Sequence, residues 1–366
     1  MSQLAPTVEK CTSHTECVHS VDTTTDVQSS RKPKTKIPHI GIDLLGGDIA
    51  SPDHVLETLH ALYSKVANPF CLTIFATPEI SIHIEAFKEV QGIKEKELEV
   101  VQVEEVIYMD DDPLFAVRKK RHSSMCLGMQ LLKDRHIDAL VSTGNTGALI
   151  ASAKLFLPML QGISRAALIT LLPTKKDPVA VIDVGANTQC TPMHLVHFAQ
   201  MGLAYQKARG IKNPSIGLLN IGIEEQKGRA EHRETYKLLQ EFNGEATVFA
   251  GNVEGKGVFS GDIHVLVTDG FTGNIFLKTA EGLSSFILDT MKENHSLLPF
   301  SKPLLKRLES ELYSAEHAGA ILCGVDGIIV KCHGDSNPEA LKCGVNGAIN
   351  LINGNFLDKI KNELSS

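Results

Sequence analysis

Four times along this chain a short apolar run ends in a polar or acidic residue, passes through glycine and asparagine or threonine, and enters a helix-like segment. Leu140-Val141 leads into Ser142-Thr143-Gly144-Asn145-Thr146-Gly147, and Val181-Ile182 into Asp183-Val184-Gly185-Ala186-Asn187. Gly217-Leu218-Leu219 leads into Asn220-Ile221-Gly222-Ile223-Glu224-Glu225-Gln226-Lys227-Gly228, and Val265–Thr268 into Asp269-Gly270-Phe271-Thr272-Gly273-Asn274. Apolar runs this short, rich in β-branched residues and bounded by turn formers, read as buried strands. Others fall at Ile37–Asp43, Phe70–Ala76, Leu98–Val103, Ala166–Leu172, Ala246–Ala250 and Gly327–Lys331. Helical runs lie between most of them, at Pro52–Val66, Ser123–Arg135, Thr146–Leu160, Thr191–Arg209, Thr272–Met291 and Pro338–Ile352. Such alternation predicts an α/β fold with a mostly parallel sheet covered on both faces.

In open sheets of this kind ligands gather outside the carboxyl ends of the strands. Glycine lets backbone approach a ligand, and a helix N-terminus presents unpaired N–H groups to an anion. One such turn is equally an ordinary cap; four on one sheet predict a shared polar pocket. The usual nucleotide signatures are absent: there is no G-x-x-x-x-G-K-[ST] loop, and the first strand runs into Asp43-Leu44-Leu45-Gly46-Gly47-Asp48 instead of G-x-G-x-x-G. There is also no G-x-S-x-G elbow and no H-E-x-x-H pair. His333-Gly334-Asp335-Ser336 puts triad-type residues side by side, but a triad is a spatial arrangement and not a run of neighbours.

A formal charge of −7 argues against general nucleic-acid binding. No apolar run reaches transmembrane length and no secretory leader is evident, which with scattered cysteines points to a reduced, cytoplasmic setting. Residues 1–36 lack apolar periodicity and read as a flexible extension before an α/β domain over residues 37–366. Cys11, His14, Cys17 and His19 within it match no zinc-finger spacing, and no motif demands a metal.

Taken in order, the motifs form a recognisable set. From Ile37 onward the chain resembles the PlsX family of phosphate acyltransferases. The resemblance runs through Asp43 with Gly46-Gly47-Asp48, Ser123-Ser124-Met125, the four loops above, Gly251-Asn252-Val253-Glu254-Gly255, Leu277-Lys278-Thr279 and His333-Gly334. Leu44-Leu45 and Arg165-Ala166-Ala167 depart from the usual family pattern, as does the extension before Ile37. The resemblance implies a three-layer α/β/α fold related to isocitrate/isopropylmalate dehydrogenases and phosphate acetyltransferases. It implies a homodimer without cofactor that transfers acyl groups from acyl-acyl carrier protein (acyl-ACP) to inorganic phosphate for phospholipid synthesis. It further implies peripheral association with the inner membrane face and a downstream membrane glycerol-3-phosphate acyltransferase as partner.

Phosphate can attack a thioester directly, so the protein must supply position and charge stabilisation. Asn145, Lys227, Asn274, Asp183 and Asp269 are then the catalytic candidates, the aspartates as organisers of loops and donors. Asp43, Gly46, Gly47, Asp48, Ser142, Gly144, Thr146, Gly147, Asn187, Asn220, Glu224, Thr272, Gly273 and Lys278 are the candidates for binding phosphate and substrate. Leu304, Leu305 and Leu308 share one helical face beside Lys302, Lys306 and Arg307, a pattern suited either to an anionic membrane surface or to a dimer interface. Two other readings stand beside this one: a phosphate acetyl- or butyryltransferase using short acyl-CoA, and a non-catalytic acyl-ACP-binding scaffold at the membrane.

Overall fold

A computed structural model describes residues 37–65, 69–241, 248–293 and 319–365. Eleven strands form a single sheet: β1 (His39–Asp43), β2 (Cys71–Ala76), β3 (Leu98–Gln102), β4 (Ala139–Ser142), β5 (Ala167–Leu172), β6 (Val179–Ile182), β7 (Ser215–Leu219), β8 (Val248–Val253), β9 (Val265–Val267), β10 (Ala320–Cys323) and β11 (Ile328–Lys331). Their order across the sheet is β3-β2-β1-β4-β11-β10-β5-β6-β9-β7-β8. Helices α1 (Pro52–Lys65), α2 (Pro78–Gln91), α3 (Pro113–Lys119), α4 (Ser124–Lys133), α5 (Thr146–Phe156), α6 (Pro192–Ala208), α7 (Ala230–Glu241), α8 (Gly270–Glu293), α9 (Pro338–Asn353) and α10 (Phe356–Ser365) complete the three layers.

Five of these helices begin at a small polar residue followed by proline, Ser51-Pro52, Thr77-Pro78, Asp112-Pro113, Thr191-Pro192 and Asn337-Pro338; those at Pro78 and Pro113 have no counterpart in the sequence reading. Proline tolerates the first helical position because its missing N–H would have no partner there, and the preceding oxygen caps the next free N–H. Asp112 accepts from the Phe115 amide at 2.8 Å, Asn337 from Ala340 at 2.9 Å, and Thr191 from His194 at 3.3 Å. The central strands are fully buried; β4, β6 and β11 expose no residue. Burial of each large aliphatic side chain contributes about 1.5–3 kcal/mol to stability.

The sheet is mostly parallel but not of one direction. β3, β2, β1, β4 and β11 run together, as do β6, β9, β7 and β8. Between them β10 is antiparallel to β11 and to β5, and β5 is antiparallel to β6, so the two parallel blocks point opposite ways. Strand β10 has no counterpart in the sequence reading, because four residues, Ala-Ile-Leu-Cys, carry too little pattern to stand out. The strand read at Ala246–Ala250 lies two to three residues further on. Residues 304–308, with their leucine stripe, lie outside the described residues. Among the described residues no helix is long and apolar enough to cross a membrane, and no group of three or more His, Cys, Asp or Glu is placed to hold a metal ion.

Candidate active site

At the carboxyl ends of β1, β4 and β11 three polar residues stand in register, Asp43 opposite Ser142 and Ser142 opposite Lys331. All three are buried. Ser142 donates its hydroxyl to Asp43 Oδ2 at 2.8 Å and accepts from the Gly144 amide at 3.1 Å, so Asp43 shapes the turn that launches α5. Lys331 donates to the carbonyl of Thr143 at 3.3 Å and to that of Cys332. Burial pushes the Lys331 ammonium down to about 8, with the Cys332 thiol and the Asp43 carboxyl pulling the other way. The same burial raises Asp43, against hydrogen bonds from Ser124, Ser142 and Leu45.

The opposite block ends in a different device. The Asp183 carboxylate, fully buried, accepts from the amides of Leu168 (3.0 Å), Gly185 (3.1 Å), Ala186 (2.9 Å) and Asn187 (2.7 Å), and from the Asn187 side chain at 2.9 Å. Burial raises its pKa, and those donors oppose the rise. The glycine loop that the sequence offers to an external anion is thus wrapped around an internal one. Asp269 organises the start of α8 in the same manner, accepting from the Thr272 amide at 2.9 Å, from its hydroxyl, and from Arg229 at 2.5 Å. Gly273 packs so tightly on this framework that a Cβ there would lie 1.9 Å from the Asp183 carbonyl oxygen.

Between the two blocks, over the short mixed strands, lies a polar cavity of about 200 Å³. Thr146, the first residue of α5, lines it from one block, and Val184, Gly185 and Asn274 line it from the other. Leu168, Thr170 and Ala320 form its central wall, and Leu277, Lys278, Glu281, Gly319, Lys331, Cys332 and His333 complete it. Lys278 sits 2.9 Å from Glu281 and 3.0 Å from His333 Nδ1, while His333 Nε2 is 3.4 Å from Glu281. Burial alone would raise the Glu281 carboxyl; hydrogen bonds from His333 and Lys278 outweigh it and hold the group below its ordinary value. Two ammonium groups and the starts of two helices therefore converge on one opening, an arrangement that favours an anion.

Of the residues picked out in the sequence, Thr146, Asn274 and Lys278 line this cavity. Others shape the loops around it. Asn145 caps α5 by accepting from Ala148 at 3.0 Å, and its amide donates to the carbonyls of Tyr108, Met109 and Asp111 at 2.9–3.4 Å. Asn187 holds Asp183 and donates to the Ala166 carbonyl at 2.8 Å. Asn220 bonds the Lys227 carbonyl and Asn252, both at 3.1 Å, closing the loop that carries Glu224 and Lys227 back onto β8. The Lys227 side chain is exposed there and is not part of the cavity wall. Gly46, Gly47 and Asp48 pack against the segments that flank the cavity: a Cβ on Gly46 would meet the Ile107 carbonyl at 2.5 Å, and the Asp48 amide donates to the Gly334 carbonyl at 2.9 Å. Gly144 and Gly147 likewise belong to the α5 turn, Gly147 lying against Pro113.

Lys331, Glu281, Thr170 and Cys332 are among the cavity residues that sequence reasoning passed over. Lys331 left one signal, a charge closing the apolar strand Ile328-Ile329-Val330. Glu281 left none, being one carboxylate among many on a long helix.

Residues 38–359 match the model of a family described as fatty acid synthesis protein. A phosphate acyltransferase from Chlamydia pneumoniae is 40% identical over 328 residues, covering 89% of this chain and 98% of that relative. Among solved structures, a phosphotransacetylase from Streptococcus pyogenes covers 91% of this chain and 95% of its own at a TM-score of 0.57 and 16% identity. A 4-hydroxythreonine-4-phosphate dehydrogenase from Klebsiella pneumoniae covers 87% and 100% at 0.50 and 12%, a kinship of fold alone. With its motif set, its fold and its sequence relatives in agreement, the chain belongs to the fatty acid synthesis protein family of PlsX-type phosphate acyltransferases.

Proposed function

We propose that this acyltransferase moves a fatty acyl group from the thioester of acyl-ACP to inorganic phosphate in the cavity between the two parallel blocks, making acyl-phosphate for phospholipid synthesis. The observation that carries this reading is the convergence of Lys278, Lys331 and the N-terminal turns of α5 and α8 on one opening. Phosphate held there attacks the thioester carbonyl; the new C–O bond forms, the C–S bond breaks, and the electron pair leaves on sulfur. Thr146, Thr170 and Asn274 supply donors for the transient oxyanion. A Lys331 ammonium near 8 is matched to a thiol of about 8.5, so it can pass a proton to the departing thiolate. Cys332, the thiol on the cavity wall, is pushed up to about 12 by burial and stays protonated, which favours direct attack by phosphate over a protein-bound acyl intermediate.

The homodimer, the contact with the inner membrane face and the coupling to a membrane glycerol-3-phosphate acyltransferase belong to the same proposal. Their support in the described residues is α8, whose Phe286 is exposed just before residue 294. The deciding assay is release of free ACP thiol from palmitoyl-ACP by the purified protein with and without inorganic phosphate. Phosphate-dependent release that yields acyl-phosphate is expected; release only from short acyl-CoA would favour the acetyl- or butyryltransferase reading, and none at all the scaffold.

A further inference from the structure

The polar cavity has an apolar neighbour. Its wall residues Thr170, Leu277 and Glu281 are shared with a second, apolar pocket of about 260 Å³ that runs along α8. Leu172 and Pro173 at the end of β5 form one side of this pocket, Phe259 another, and Ala280, Leu283 and Ser284 the helix side. Phe259 is held in place by stacking on Phe276, ring centroids 5.8 Å apart. Ala280 and Ser284 lie one helical turn apart and so present one face, and their small side chains leave the room that a bulkier pair would fill.

Resting on the reading of this chain as a phosphate acyltransferase, we infer that this pocket seats the acyl chain of the substrate, with the thioester carbonyl at the Thr170–Glu281 junction and Ala280 and Ser284 setting the longest chain that fits. The occupant follows from continuity and chemistry. An acyl thioester is a polar head bonded to an apolar tail, and here a polar, lysine-bearing cavity adjoins an apolar one across a wall the two share. Removing the tail from water drives it into such a slot, at roughly fourfold in affinity per buried methylene.

The test is the donor profile of Ala280→Phe on acyl-ACPs from four to sixteen carbons. Chain-blocking should lower kcat/KM for the palmitoyl donor by at least about tenfold, equivalent to fewer than two lost methylenes, while the butyryl donor keeps its rate. A uniform profile would overturn the slot while turnover on short donors leaves the transferase reading intact; absence of phosphate-dependent turnover in the unmodified protein would overturn that reading instead. Ser284→Leu repeats the test one turn on, should Ala280→Phe fail to fold. A separate apolar cavity of about 340 Å³ lies by Tyr205, Ala208 and Phe356; loss of long-chain preference in Ala208→Phe alone would move the acyl site there and refute the present one. A change of oligomeric state in Ala280→Phe with an unaltered donor profile would assign the face to a second copy of the chain and equally refute it.

Discussion

Lys331 holds a charge where burial works against it, and the two consequences have opposite signs with pH. Its folded value near 8 lies below its ordinary 10.5, so between these values the unfolded chain binds more protons and stability rises with pH. Catalysis that needs the ammonium falls over the same range. We expect kcat to decline above about pH 8 while urea midpoints rise relative to Lys331→Met, which should itself lose roughly a hundredfold or more in kcat, the scale of one removed charge-stabilising donor. A flat difference in midpoint from pH 7.5 to 10 would show that Lys331 is not perturbed. The asparagines and lysine read from sequence as one set separate by environment. Asn274→Ala should cut kcat with little change in melting temperature. Asn145→Ala removes a cap and three further bonds and should cost at least about 1 kcal/mol of stability. Lys227→Ala, on an exposed loop, should leave the rate within about twofold.

At the scale of elements, α8 is the piece on which most depends. Its first turn is held by Asp269 and abuts Asp183, its Asn274 and Lys278 line the polar cavity, and its Ala280 and Ser284 face the apolar one. Gly273 permits this closeness, and an added methyl 1.9 Å from a carbonyl oxygen has nowhere to go. Gly273→Ala should therefore destabilise by about 3 kcal/mol or more in urea unfolding, whereas Gly282→Ala later in the same helix, exposed and where a Cβ meets nothing within 4 Å, should stabilise by up to about 1 kcal/mol. Equal effects would mean that the two blocks can move apart at this contact. The helix also illustrates what was legible beforehand. Its span was read to within two residues at each end, because apolar residues recur with the helical period; the roles of its side chains were not.

For the whole molecule, the decisive feature is the reversal of direction across β10 and β5. A sheet of one direction would gather its glycine turns along one edge. Here the α5 turn and the Gly185–Asn274 pair come from oppositely directed blocks and meet over the mixed strands between them. If the full chain binds membranes peripherally, it should float with anionic vesicles and not with neutral ones, with Leu305→Glu reducing flotation; equal flotation on both lipids would remove the electrostatic part of the proposal. The amino-acid pattern alone determined the alternation of strands and helices, the helix starts at Pro52, Thr191 and Pro338, and the turn chemistry of Asp183 and Asp269, because each depends on neighbours a few positions apart. Which amides remain open to a substrate, and which already bind the chain's own carboxylates, was settled only by packing. Lys331, Glu281 and Thr170 come from three distant segments, and apart from the charge that closes Ile328-Ile329-Val330 nothing local marks residues that acquire their meaning from one another.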